Sequence, residues 1–415
     1  MSAHSTNQRA GSPAIVVRPV DRSLVVITLC LITAGLIMVL SSSQALAYVY
    51  YNSALYFFER QAVGMALGVI AMVVICRMDL TRLRSWARPV AAALMLFSLL
   101  VAVPHLGIKV NGAQRWFALG PLGTFQPSEF AKLGYSLFMA DWLVRRGERL
   151  RSLEQGFLPF LVLVALGIAP LLLLQHDLGT TLVMSTIFVA AFLAAGGRFL
   201  HLGVLALLVI AALAAVTVVS PYRMARFASF RNPLADPLGT GFQSTQAIYA
   251  LGSGGPLGVG LGHSVEKFLW LPEAHTDFIF AIVGEETGLW GTTGLLLLFL
   301  AFAIRGYRIA LKSRDRFCMV AATSITTWIV FQALLNMGGV SDTLPIAGVP
   351  MPFVSYGGTA VASVLAAVGI LLAISRRTDD PSYTTKETID EASDSGGRDG
   401  RTPVTRPRRR AGATS

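Results

Sequence analysis

The residues best suited to acid–base chemistry lie in Trp-Leu-Pro-Glu-Ala-His-Thr-Asp-Phe-Ile-Phe-Ala-Ile-Val-Gly-Glu-Glu-Thr-Gly, residues 270–288. Glu273, His275 and Asp277 stand just before a long apolar run, and Glu285 and Glu286 fall inside it. Ionisable groups at a membrane face or within a span are costly and signal function by default. Read as a helix, Asp277, Ala281, Gly284 and Gly288 share one face. Glu285 then lies about 12 Å further along. A carboxylate that opens a membrane helix beside a His and a Glu can take a proton from a hydroxyl. The bland alternative for Asp277 is a helix cap that accepts backbone N–H groups.

Other charged positions gather in Gly- and Pro-rich stretches. Arg115-Trp116 can hold an anion through the guanidinium fork or anchor the chain at the membrane interface. Pro127 suits the first turn of a helix, where its missing N–H costs nothing, and Glu129 in that turn faces the positive end of the helix dipole. Lys132 follows one turn later, so the two can form an ion pair or contact a substrate. Asp177 reads as a cap for the helix after it. Ser355-Tyr356-Gly357-Gly358 reads as a place where backbones approach closely. Glu285 and Glu286 read as structural, bonded to neighbouring helices.

These residues need positioning elements, and the composition says which kind. The chain has 415 residues, 54% of them hydrophobic and 14% charged, with a mean hydropathy of +0.61. That excludes an ordinary soluble domain. Ten apolar runs of membrane length are expected at about 24–43, 61–76, 89–104, 127–144, 157–174, 178–195, 202–219, 277–304, 318–336 and 356–374. Ala45-Leu46-Ala47 resembles a signal-peptidase site, but the apolar run before it is too long for a signal core, so the first span is read as retained. Residues 1–22 and 376–415 read as disordered cytoplasmic termini. Residues 220–276 form a large outer loop, apolar and aromatic enough to be packed and partly helical. The fold class is therefore all-α, a polytopic integral membrane protein, with 23–375 as one membrane domain.

The formal charge of +11 does not call for nucleic acid. The connections after the second, fourth and eighth spans are Arg-rich, while those after the fifth and ninth hold no Lys or Arg. This alternation puts both termini in the cytoplasm. It also puts residues 111–129, 175–181, 220–277 and 345–358 together at the outer face. Cys30, Cys76 and Cys318 have no metal or disulfide spacing.

The quoted pieces, with Asn111-Gly-Ala-Gln-Arg-Trp116, Gln126-Pro-Ser-Glu-Phe-Ala-Lys132, Asp177-Leu-Gly-Thr180, Gly258-Val-Gly-Leu-Gly262, Leu271–Phe280 and Pro352-Phe-Val-Ser-Tyr-Gly-Gly358, resemble the SEDS family (shape, elongation, division and sporulation) in its motif order across about residues 24–375. The details resemble its division branch more than its elongation branch. His176, Ala347 and Thr359 depart from the common family residues. The resemblance implies a glycosyltransferase that polymerises lipid II outside the cytoplasmic membrane, at the division septum, with Asp277 as the essential residue. It implies a class B penicillin-binding protein and other division proteins as partners, besides lipid II, the growing glycan strand and membrane lipids.

For that chemistry Arg115 and Lys132 are the expected pyrophosphate contacts, with Glu129, Glu273, His275 and Ser355 as further substrate-contacting residues. His275 reads as a hydrogen-bonding neighbour of Asp277. A divalent cation (Mg²⁺ or Mn²⁺) can share the neutralisation of pyrophosphate, although the sequence contains no dedicated metal cage; no organic cofactor is expected. A lipid II flippase and a non-catalytic division scaffold are the competing readings.

Overall fold

A computed structural model describes residues 19–103, 105–110, 113–118, 120, 123–219, 224, 230 and 232–376. The expected disordered segments 1–22 and 376–415 lie outside these, apart from residues 19–22 and 376.

Asp21 accepts from Leu24 N at 2.9 Å and starts α1 (Arg22–Tyr51), which runs through Ala45–Ala47 and ends at Asn52 in the left-handed region. Two further helices follow, α2 (Tyr56–Arg77) and α3 (Leu80–Leu100), with Asp79 capping the latter. The third span thus begins nine residues before the expected 89 and includes Arg82, Arg84 and Arg88. Arg84 and Arg88 suit a helix here because α4 (Pro127–Arg146) presents Asp141 to them, at 2.8 Å and 3.1 Å from its carboxylate, with Arg145 at 2.9 Å.

The chain continues through α5 (Leu158–Ala169), extended by π-turns on both sides to span 153–174, then α6 (Leu178–Ala194) and α7 (Phe199–Val219). The long outer connection holds α8 (Phe242–Gly254), the helical part expected of it. Three helices complete the bundle: α9 (Ile279–Lys312), α10 (Arg316–Val340) and α11 (Gly358–Ser375).

Eight of these segments are long and apolar enough to cross a membrane. The two other expected spans are α6, which is shorter, and α4, which carries Glu129, Lys132 and Asp141. Both are mostly buried, so their surroundings are protein rather than lipid and tolerate shorter or more polar helices. The core lies where α4, α6, α10 and α11 meet, and α2 packs along α11. By contrast, α7 is exposed over most of its length, with His201, Leu202 and Leu205 buried near its start, as suits a helix with a lipid-facing side.

Two local features differ from the sequence reading. The Gly/Pro-rich stretch near 110–129 is not wholly irregular: β1 (Ile108–Val110), β2 (Ala113–Ala118) and β3 (Thr124–Phe125) form a small antiparallel sheet in that order. Helix α9 is also broken, because Gly288 has φ 65° and ψ −160°. The break frees the carbonyls of Glu285 and Glu286, which accept from Val259 N at 2.9 Å and Gly260 N at 3.1 Å. Only glycine allows this approach: a Cβ on Gly258 would lie 2.2 Å from the Glu286 carbonyl oxygen. Side chains reinforce the join. Glu285 accepts from Ser264 Oγ and Val265 N, and Glu286 accepts from Ser41 Oγ and Lys267 Nζ. The two glutamates are therefore structural, as the sequence suggested.

Candidate active site

At the outer end of the bundle a cavity of about 1780 Å³ opens between the β-sheet, the turn at 175–177, the turn at 272–277 and the loop before α11. Its polar wall carries Glu59, Arg60, Arg115, Glu129, His176, Asp177, Glu273 and Asp277. Its apolar wall runs down α2 through Val63, Leu67 and Ala71, and across to Leu182, Leu213, Phe331 and Leu335. A water-facing charged rim over an apolar trough suits a molecule with a polar head and a hydrocarbon tail.

Asp277 lies on the cavity wall and is half-buried. It does not open a helix. Residues 272–278 form turns, α9 starts at Ile279, and Phe278 is the residue at the cap. Pro272 and the left-handed Glu273 (φ 58°) account for the delay: Thr276 N and Phe278 N both turn back to the Glu273 carbonyl at 3.1 Å. Glu273 is exposed on the cavity wall and accepts from Thr276 Oγ1 at 2.7 Å.

His275 points away from the cavity. Its buried ring lies between Phe57, 4.6 Å centroid to centroid, and Tyr356, 5.5 Å. Burial holds its imidazole below the ordinary value of 6.5, against the raising influence of Glu273. Ser355 is likewise buried beneath the motif. Its hydroxyl donates to the Thr276 carbonyl at 2.6 Å and accepts from Met351 N at 2.8 Å, while Tyr356 N donates to the His275 carbonyl at 2.9 Å. Gln61 ties the same loop to α2 through Ser355 O and Gly357 N.

The expected cation sites divide. Lys132 is buried and does not reach the cavity wall. Its ammonium lies 2.7 Å from Glu129 Oε1 and 2.8 Å from Gln332 Oε1, over the Trp328 ring. Arg115 does line the cavity, but its guanidinium already holds the 175–177 turn. It donates to the carbonyls of Gln175 at 3.0 Å and His176 at 2.7 Å, and Asp177 lies 3.5 Å away. Asp177 caps α6 through Thr180 N at 3.0 Å, as expected.

Sequence reasoning did not single out Arg60 as a site residue. It lines the cavity, stacks over the Tyr56 ring at 4.3 Å, and forms no ion pair among the described residues. The signal was present: Arg60 is the lone Lys or Arg between the first two spans, on a face where basic residues are sparse. The described residues contain no group of three His, Cys, Asp or Glu side chains able to cage a metal. A divalent ion bound here would be ligated mainly by substrate and water.

A family profile described as "Cell cycle protein", covering FtsW, RodA and SpoVE, matches residues 22–380. The chain belongs to this FtsW/RodA/SpoVE family. Its relatives in the family include stage V sporulation protein E of Bacillus subtilis, 40% identical over 356 residues, which are 86% of this chain and 97% of the relative. A probable peptidoglycan glycosyltransferase FtsW of Geobacter metallireducens is 39% identical, over 86% of this chain and 95% of the relative. A solved peptidoglycan synthase complex, described as coordinating polymerization and crosslinking, contains a chain with TM-score 0.72 and 28% identity, covering 87% of this chain and 99% of that one. The rod shape determining protein RodA of Thermus thermophilus matches with TM-score 0.64 and 25% identity, over 87% and 98%. The FtsW/RodA/SpoVE membrane fold is thus shared along the whole described bundle.

Proposed function

We propose that this protein polymerises lipid II into peptidoglycan glycan strands at the outer face of the cytoplasmic membrane, with Asp277 as the general base. The carrying observation is the cavity that brings the Asp277 turn, Arg60 and Arg115 onto one rim above an apolar trough. The trough suits a polyprenyl chain. The arginines suit a pyrophosphate, Arg60 with a guanidinium that forms no ion pair among the described residues and Arg115 through the donor capacity its turn leaves. Lys132 acts from behind the wall, holding Glu129 rather than touching phosphate.

In the reaction a sugar hydroxyl of the acceptor attacks the anomeric carbon of the donor. The new glycosidic C–O bond forms as the bond to pyrophosphate breaks, and the configuration inverts. Undecaprenyl pyrophosphate leaves without needing a proton because cations neutralise it. The hydroxyl proton passes to the Asp277 carboxylate. One carboxylate with positive charge is sufficient, unlike the paired carboxyl groups of most glycosidases.

The named relatives at 39–40% identity carry FtsW and sporulation names, whereas the RodA structure is 25% identical. This favours septal synthesis in division over an elongation role. The synthase complex among its structural relatives supports work beside a crosslinking partner of the class B penicillin-binding type.

The test is polymerisation of labelled lipid II by the purified protein, with and without that partner, with Asp277→Asn alongside. The wild type should yield polymer, and the folded variant at least about 100-fold less, the usual worth of a general base. Equal polymer from both removes Asp277 from the mechanism. No polymer from the wild type under either condition, together with lipid II movement across vesicles, would favour a flippase.

A further inference from the structure

Asn336 lies in the last two turns of α10 and is 4% exposed. Its side-chain amide donates twice, to the carbonyl of Asp277 at 2.7 Å and to that of Val349 at 2.8 Å. The two neighbouring carbonyls are also taken, His275 by Tyr356 N and Thr276 by Ser355 Oγ. Three consecutive carbonyls therefore have three different donors. Two of those donors come from the loop before α11; only the bond to Asp277 comes from a helix of the core.

We propose that Asn336 is the positioning residue for Asp277. The proposal rests on Asp277 being the base. The base sits on a turn whose helix begins without a side-chain cap at Phe278, and Gly288 separates the first turns of α9 from the rest of that helix. Asn336 supplies an anchor from the core by tying the Asp277 backbone and the buried Val349 segment behind the cavity wall to one rigid element. One turn earlier, Gln332 makes the parallel link, donating to Pro350 O at 2.8 Å while accepting from Lys132 Nζ. The asparagine is held for its donors. Its Oδ1 is buried and has no hydrogen-bond partner among the described residues, a destabilising feature that a leucine of similar size would lack.

The experiment compares Asn336→Leu, Asn336→Ser and Asp277→Asn with wild type. It measures initial rates over a range of labelled lipid II and the thermal midpoint of each full-length protein. For Asn336→Leu the expected result is a kcat lower by roughly 10- to 100-fold, the scale of a small misplacement of a reacting group. KM should stay within about twofold of wild type, and the midpoint should fall only modestly, since the carbonyls of Asp277 and Val349 lose their donor while the unmatched oxygen is also gone. Asn336→Ser keeps one donor and should fall between the two. A folded Asn336→Leu protein with wild-type kcat, or with raised KM at wild-type kcat, overturns the proposal. If the leucine variant does not fold, wild-type kcat in Asn336→Ser overturns it instead. Activity retained by Asp277→Asn removes the base assignment itself; activity lost there but kept in Asn336→Leu removes only the positioning role.

Discussion

Lys267 and Glu286 meet inside the bundle, with Nζ 3.0 Å from Oε1 and the two side chains 2% and 0% exposed. The pair joins the outer loop to α9 just before its break, and Ser41 of α1 completes the carboxylate's partners at 2.6 Å. Removing one partner leaves a buried charge uncompensated. Lys267→Met or Glu286→Gln should each cost on the order of 3–5 kcal/mol, read as a lower unfolding midpoint in detergent. The double variant should recover most of that loss. Additive losses would show that the two residues do not act as a pair.

The glycine at the break gives a second stability prediction. Gly288→Ala puts a Cβ at φ 65° and 2.4 Å from Gly258 N. The loop from 255 to 260 would have to move, and its bonds to the Glu285 and Glu286 carbonyls would be lost. We expect poor yield of folded protein, with Gly254→Ala behaving alike because its Cβ would lie 2.0 Å from Gly284 O. Gly252→Ala, in open space on the same helix, is the control and should be tolerated. A normal midpoint for Gly288→Ala would mean that the break is dispensable.

Much of this was readable from the chain because it is local. Pro127 and Glu129 sit in the first turn of α4, Asp177 caps α6, and the outer-face motifs do converge. What escaped depends on distant partners. Arg84 and Arg88 of α3 read as loop because Asp141, 53 positions from Arg88, is not visible as their counterion. Lys132 read as a substrate contact because Gln332, 200 positions away, fills its second bond. Glycines inside an apolar run look alike, so Gly288 gave no sign of a break until Val259 and Gly260 lay beside it. Asp277 looked like a helix start because apolar residues follow at once, yet the backbone at Glu273 turns first.

Two arginines on one cavity should behave differently. Arg115 is bonded to two carbonyls and Asp177, so Arg115→Gln should lower the unfolding midpoint as well as activity. Arg60 has no such bonds among the described residues, so Arg60→Gln should keep the midpoint and raise KM for lipid II, by roughly 10-fold if one charge-assisted contact of about 1.5 kcal/mol is lost. Steady-state rates and thermal melts on the same preparations separate the cases. An unchanged KM for Arg60→Gln would remove it from the pyrophosphate site.

His275 predicts an acid sensitivity. Burial lowers its pKa in the folded protein, so below about pH 6.5 the unfolded chain binds a proton that the folded chain does not. Stability is therefore fully present above that pH and is lost as pH falls toward the folded value. His275→Phe, which keeps a ring between Phe57 and Tyr356, should flatten this part of the melting-temperature curve between pH 7 and 5. A curve identical to wild type would place the sensitivity elsewhere.

The trough of the cavity is built partly from Val63 and Leu67, which are 48% and 57% exposed and lie on the membrane-length helix α2. A substrate arriving along that wall never becomes a bulk solute. Its effective concentration is a mole fraction within a two-dimensional film, and doubling the detergent at constant lipid II halves it. An apparent KM quoted in micromolar would then drift with every change of detergent or lipid load, while the same constant expressed per amphiphile would hold still. Rates of different preparations become comparable only on that second scale.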